Sequence, residues 1–169
     1  QGRINIEITP EFSSMLGSSA VRELGEKIAV SADGGGASCM IKNALIAGVQ
    51  SSGGIAYDFG EQPLPITRSG IRFYSLNGGI AVTSFTRDGE MWACLDIINS
   101  AGSNVNRETS EKIRRPAAAG DFQRVEPSAI AETEYFFEYK LYYLKQLINS
   151  TTKKELGCKL LIHSPNIWA

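Results

Sequence analysis

Apolar residues recur at every fourth position from Phe12 through Leu16 and Ala20 to Leu24. That spacing predicts an amphipathic helix. Thr9 suits its N-cap, Pro10 its first turn, Glu11 the positive end of its dipole and Gly25 its stop. Ile28-Ala29-Val30-Ser31 is a short apolar run and predicts a buried strand. A second helix opens at Ser38, with Met40, Ile41, Ala44, Leu45 and Ala47 on its apolar side and Gly48 near its end. Ile55 to Phe59 predicts the next strand, stopped by Gly60. Pro63 and Pro65 introduce a third helix carrying Ile66, Ile71, Phe73, Tyr74 and Leu76, with Gly70 as its weak point. Ile80 to Thr83 is a third strand, Ser84 to Gly89 a loop, and Met91 to Ile98 a fourth strand.

Strands alternating with helices imply a parallel sheet with right-handed crossovers and helices on both faces. The connection before the fourth strand is too short for a helix, so that strand pairs antiparallel, at an edge. The expected fold is a three-layer α/β/α sandwich with a mixed four-stranded sheet, its last strand antiparallel. Beyond Gly102 the pattern changes. Arg107 to Arg114 predicts a short charged helix, followed by a loop over Pro116 to Gly120. Glu132 to Asn149 predicts a helix with Phe137, Leu141, Leu144 and Ile148 as one stripe, flanked by Phe136, Tyr139 and Tyr143. A polar linker over Thr151 to Lys154 and a strand over Lys159 to His163 follow. Residues 1–130 then form one domain, and 131–169 a bridging helix and the first strand of a truncated second one. The missing initiating Met agrees with a chain excised from a longer protein.

Charge narrows the partners. Lys and Arg total 17, Asp and Glu 18, for a net charge of −1. A nucleic-acid binder working through bulk charge carries a clear basic excess, so none is expected. No apolar run approaches the length of a membrane span, and the N-terminus has no signal-peptide core. Cys39, Cys94 and Cys158 are scattered and odd in number, which argues against disulfide frameworks and metal sites and for a reducing cytoplasm.

Glycine changes the picture more. The chain holds 17, and 14 of them fall between Gly17 and Gly102. Two glycine-bounded loops sit at carboxyl ends of strands, where open α/β sheets place ligands. In Ala32-Asp33-Gly34-Gly35-Gly36-Ala37-Ser38, free backbone N–H groups and a helix start suit an anion. The spacing is neither that of a dinucleotide loop nor that of a P-loop, and a flexible turn capped by Ser38 is the alternative. The second loop offers Thr83, Ser84, Thr86, Arg87 and Asp88. It reads either as a phosphate holder built on Arg87 or as a solvated hairpin turn. His163 has no sequence partner, and no triad, carboxylate pair or metal cluster is visible.

Taken in order, these segments resemble the first domain of the phosphohexomutases, the phosphoglucomutase/phosphomannomutase family. Gly2-Arg3-Ile4-Asn5 and Ile8-Thr9-Pro10-Glu11 resemble the end of the family's GIRG element and its helix start. Val30-Ser31-Ala32-Asp33 with Ser38 resembles its GRDTRxS loop. Ala44 to Val49 and Tyr57 to Gly60 resemble its next helix and strand, Leu64-Pro65 its TP, and Gly79 to Thr83 the approach to its TASHNP loop. The resemblance implies phosphoryl transfer between C1 and C6 of a hexose phosphate. A phosphoserine in TASHNP does the transfer, with Mg²⁺ and a hexose bisphosphate, the metal and sugar sites lying largely in other domains. Here Phe85 occupies the nucleophile position, with Thr83 and Ser84 before it and Thr86, Arg87 and Asp88 after it. Several arginines of the family pattern are also missing, most clearly at Ser31-Ala32-Asp33.

The expectation is therefore a retained fold with abandoned chemistry. Such a domain binds sugar phosphate, regulates, or helps assemble a larger protein, in the manner of mannose-1-phosphate guanylyltransferase-like fusions. Its partners are other domains of the same polypeptide and a sugar phosphate. The residues expected at phosphate are Thr83, Thr86, Arg87, Asp33 and Ser38; no metal or resident cofactor is expected in this chain. Two alternatives stay open: an active mutase that uses Ser84 or Thr86, and a protein-interaction module built on the tyrosine-rich helix.

Overall fold

A computed structural model describes residues 1–121, 123–151, 157, 159 and 161. The first helix, α1 (Pro10–Leu24), begins and ends where the sequence places it. Thr9 Oγ1 accepts the Phe12 N–H at 3.2 Å, and Gly25 takes φ 119° at the far end. After strand β2 (Lys27–Ala32) comes α2 (Gly36–Ser51). It starts two residues before Ser38 because Ser38 caps from inside the first turn, its hydroxyl accepting the Gly35 N–H at 3.1 Å. Next come β3 (Ile55–Glu61) and α3 (Leu64–Phe73). Gly70 does not weaken α3; a Cβ there would collide with the Phe59 ring, which rests against it.

The sheet has six strands rather than four, in the order β1 (Gly2–Arg3), β5 (Glu90–Asn99), β4 (Gly78–Arg87), β2, β3 and β6 (Glu134–Tyr135). The two additions are β1 and β6, each too short to leave a periodic signature. β2, β3 and β4 run parallel, and β5 is antiparallel to β4. β5 is not the edge: β1 pairs with it outside, Gly2 opposite Ala93 and Arg3 opposite Trp92.

The expected loop over Ser84 to Gly89 is also corrected. β4 continues through Arg87, and only Asp88 and Gly89 turn the chain. Their φ values, 52° and 78°, are both left-handed. That is the two-residue hairpin geometry for which Asp-Gly is a strong signal. Ten consecutive pairs join the strands, from Gly78↔Asn99 to Arg87↔Glu90, without a bulge.

Helices cover both faces. Ile28, Val30, Ile80 and Val82 point to a core shared with Leu16 and Ala20 of α1, Ile41, Leu45 and Val49 of α2, and Ile113 and Ala117 of α4 (Arg107–Ala119). Burying each large aliphatic side chain contributes about 1.5–3 kcal/mol. α4 runs past the predicted end at Arg114, because Ala117 seals against this core and Gly120 (φ 70°) ends the helix instead. Pro116 inside it forgoes one helical hydrogen bond.

On the other face Ala29, Phe59, Ala81 and Ile98 meet Ile66 and Ile71 of α3 and Tyr139 of α5 (Tyr139–Ser150). The helix expected over 132–149 thus divides into β6 and α5. Its faces are also reversed. Phe136, Tyr139 and Tyr143 pack inward, Tyr139 at 3% exposure, while Leu141 and Ile148 of the expected stripe stand 63% and 70% exposed. The inward rings stack and tilt around Phe59 and Tyr74, a fit that aliphatic residues lack. Of the strand expected over Lys159 to His163, residues 160, 162 and 163 lie outside the described residues, as does Cys158. Among the described residues, no helix is long and apolar enough to cross a membrane.

Candidate functional site

Three of the residues singled out from sequence meet where β2 and β4 end. Asp33 follows β2, Ser38 lies in the first turn of α2, and Ser84 lies on β4. The last ladder pair between β2 and β4 is Ala32↔Val82. Beyond it the Asp33 carboxylate acts as a further acceptor: its Oδ2 receives the Ser84 N–H at 2.5 Å. The Ser84 hydroxyl lies 3.2 and 3.1 Å from Oδ1 and Oδ2 and donates to them. Ser38 donates to Oδ1 at 2.5 Å. The carboxylate also sits before the N-terminus of α2, where helix dipoles favour negative charge.

Pleating divides the other candidates. Ser84 and Thr86 follow Ile80 and Val82 onto the α1/α2 side. Thr83, Phe85 and Arg87 follow Ala81 onto the α3 side. Thr86 is exposed, its nearest polar contact being Met91 Sδ at 3.6 Å. Thr83 is exposed, and Phe85 is half-buried opposite Trp92. The Arg87 guanidinium lies over the Trp92 ring, 5.4 Å from its centroid.

Two features of this end escaped the sequence analysis. Lys42 of α2 and Asp58 of β3 form an ion pair at 2.5 Å in which both residues are buried, and Asp58 Oδ1 accepts the Gly60 N–H at 2.7 Å. A lysine at a core-facing helix position with an aspartate inside an apolar strand was the available signal. One turn earlier on α2, Cys39 Sγ lies 3.2 Å from Glu61 Oε1. Burial, then this carboxylate, push the Cys39 thiol up to about 11, which makes it a poor nucleophile at neutral pH.

The cluster is a set of hydrogen bonds built on a single carboxylate, that of Asp33. Its one carboxylate is already an acceptor for two hydroxyls and an amide. Mg²⁺ prefers octahedral oxygen coordination by carboxylates, substrate and water. No group of three or more His, Cys, Asp or Glu among the described residues is arranged for a metal ion.

Comparison with known proteins decides the kinship. Residues 1–124 match the alpha/beta/alpha domain I of phosphoglucomutase/phosphomannomutase. The chain belongs to this family. Among curated relatives, a protein named "Probable phosphoglucosamine mutase" from Pyrococcus horikoshii is 26% identical over 123 residues, 72% of this chain and 27% of the relative. One of the same name from Pyrococcus furiosus is 33% identical over 82 residues, 48% of this chain and 18% of the relative. The chain thus spans about a quarter, or less, of the length of these relatives. The crystal structure of a phosphoglucomutase/phosphomannomutase family protein from Burkholderia thailandensis superposes with a TM-score of 0.72 at 14% identity, over 91% of this chain and 35% of that one. That likeness supports the α/β phosphohexomutase fold with its mixed sheet and flanking helices.

Proposed function

We propose that this phosphohexomutase domain does not itself carry out phosphoryl transfer. It acts in sugar-phosphate binding, regulation or assembly within a larger protein of the sugar-phosphate nucleotidyltransferase type. Residues 131–169 would lead into a second domain.

The residue that stands at the family's nucleophile position carries this reading. The family's nucleophile position falls on Phe85, which has no hydroxyl to phosphorylate. A one-residue shift of that match would bring Ser84 to the place, but nothing in the lengths of the flanking segments calls for it. Ser84 instead faces the Asp33 side, as a hydrogen-bond donor.

One observation favours an active site built on Ser84: its hydroxyl is within reach of a carboxylate able to take its proton. The two readings part in one experiment. The full-length protein is incubated with glucose 1,6-bisphosphate and a hexose 1-phosphate, then analysed by intact mass, by peptide mapping and for isomerised product. The expected result is no phosphorylated serine and no product. Phosphate on Ser84, abolished by Ser84→Ala, would establish the active alternative.

A further inference from the structure

The outer half of the β4–β5 hairpin carries a group of side chains that the loss of the nucleophile does not explain. On its α3-side face, Phe85 and Trp92 stand opposite one another as a cross-strand pair. Arg87 reaches diagonally from β4 onto the Trp92 ring. Thr83, exposed, lies two residues before Phe85 on the same face.

Two donors here lack good acceptors. The Trp92 indole N–H is buried and has no hydrogen-bond partner among the described residues. Glu90, the residue opposite Arg87, turns to Arg3 at 3.6 Å. Arg87 is left with its neighbour Asp88, 3.7 Å away through Nε, and both side chains are mainly in solvent. A pair so exposed contributes about 0–1 kcal/mol. The guanidinium's two terminal nitrogens, a planar fork suited to paired oxygens, are therefore poorly used. A buried donor without an acceptor is costly to keep.

We propose that this hairpin face binds a phosphate monoester carried on a flat or apolar body. Arg87 takes two phosphate oxygens. As it leaves the ring, Phe85 and Trp92 take the apolar body against the ring faces it uncovers. Aromatic walls exclude water and strengthen a charge-assisted bond made beside them. This surface is on the opposite side of the pleat from Asp33, Ser38 and Ser84, so its occupancy is independent of whether Ser84 is ever phosphorylated.

Phenyl phosphate is a suitable probe. In a Trp168→Phe background Trp92 is the remaining indole, and its Nε1–H resonance can be followed by ¹⁵N NMR. The resonance is expected to shift and saturate with phenyl phosphate and to stay in place with phenol at the same concentrations. Arg87→Gln is expected to weaken the response about tenfold or more, and Arg87→Lys, which keeps the charge but not the fork, to weaken it in part. An unmoved resonance, an equal response to phenol, or an undiminished response in Arg87→Gln would each overturn the proposal. Arg87 is exposed, so unchanged thermal midpoints in both variants would separate lost binding from lost folding.

Discussion

Asp33 concentrates the contacts at the carboxyl end of the sheet. Its carboxylate ties the first turn of α2 to a strand more than fifty positions along the chain, through Ser38, Ser84 and a backbone N–H. Asp33→Ala removes all of these acceptors at once and leaves the Ser84 N–H without the partner it has now. Thermal or urea unfolding is expected to show a loss of about 1–3 kcal/mol, the usual cost of an orphaned donor near a charged partner. Ser84→Ala, which keeps the backbone bond, should cost less, about 0.5–1.5 kcal/mol. An equal loss in the two variants would mean that the hydroxyl, not the amide, carries the link. The meeting of Asp33 with Ser38 is local and legible in sequence, as an acidic residue just ahead of a serine in a helix start. That Ser84 joins them, while Thr83 and Arg87 turn away, depends on pleat and register. Those follow from where the hairpin turns, which the Asp88-Gly89 pair signals once it is taken as a two-residue turn.

Between elements, α1 and α2 approach so closely that each needs a glycine at the crossing. A Cβ at Gly48 would strike the Ser14 carbonyl oxygen, and one at Gly17 would strike the carbonyl of Leu45. Each helix therefore presents a glycine where the other's backbone crosses. Gly48→Ala is expected to force the helices apart at a cost of about 1–3 kcal/mol. Gly36→Ala serves as its control: nothing lies within 4 Å of a Cβ there, and helix propensity favours alanine by up to about 1 kcal/mol. Denaturant midpoints moving in opposite directions for these two substitutions would bear out the contact. Elements set by local pattern were legible, as α1 shows with its cap, proline and closing glycine. Elements set by distant partners were not. Two-residue strands have no period, and α4 passes Arg114 because Ala117 finds the core. The aromatic flank of α5 wins the inward face because Phe59 and Tyr74 offer rings to pack against.

At the scale of the whole molecule, the outer side of α5 gathers several of the exposed large apolar side chains among the described residues. Leu141, Leu144, Leu147 and Ile148 all stand open to solvent. Contiguous apolar patches of this kind are sticky in isolated domains. The 169-residue chain is expected to self-associate with rising concentration in sedimentation velocity, and the pair Leu141→Glu with Ile148→Lys to suppress it. Because these side chains bury little, the pair should shift stability by no more than about 0.5 kcal/mol for each substitution. A different consequence follows from β1. The β4–β5 hairpin closes from neighbouring residues, whereas Gly2 and Arg3 must find partners about ninety residues away, a loop closure that is costly and slow. During synthesis β1 therefore waits, unpaired, until Trp92 and Ala93 have left the ribosome. From then until β1 docks, the backbone edge of β5 is open to any other extended chain, and Gly2 and Arg3 guard the molecule against joining a neighbour's sheet.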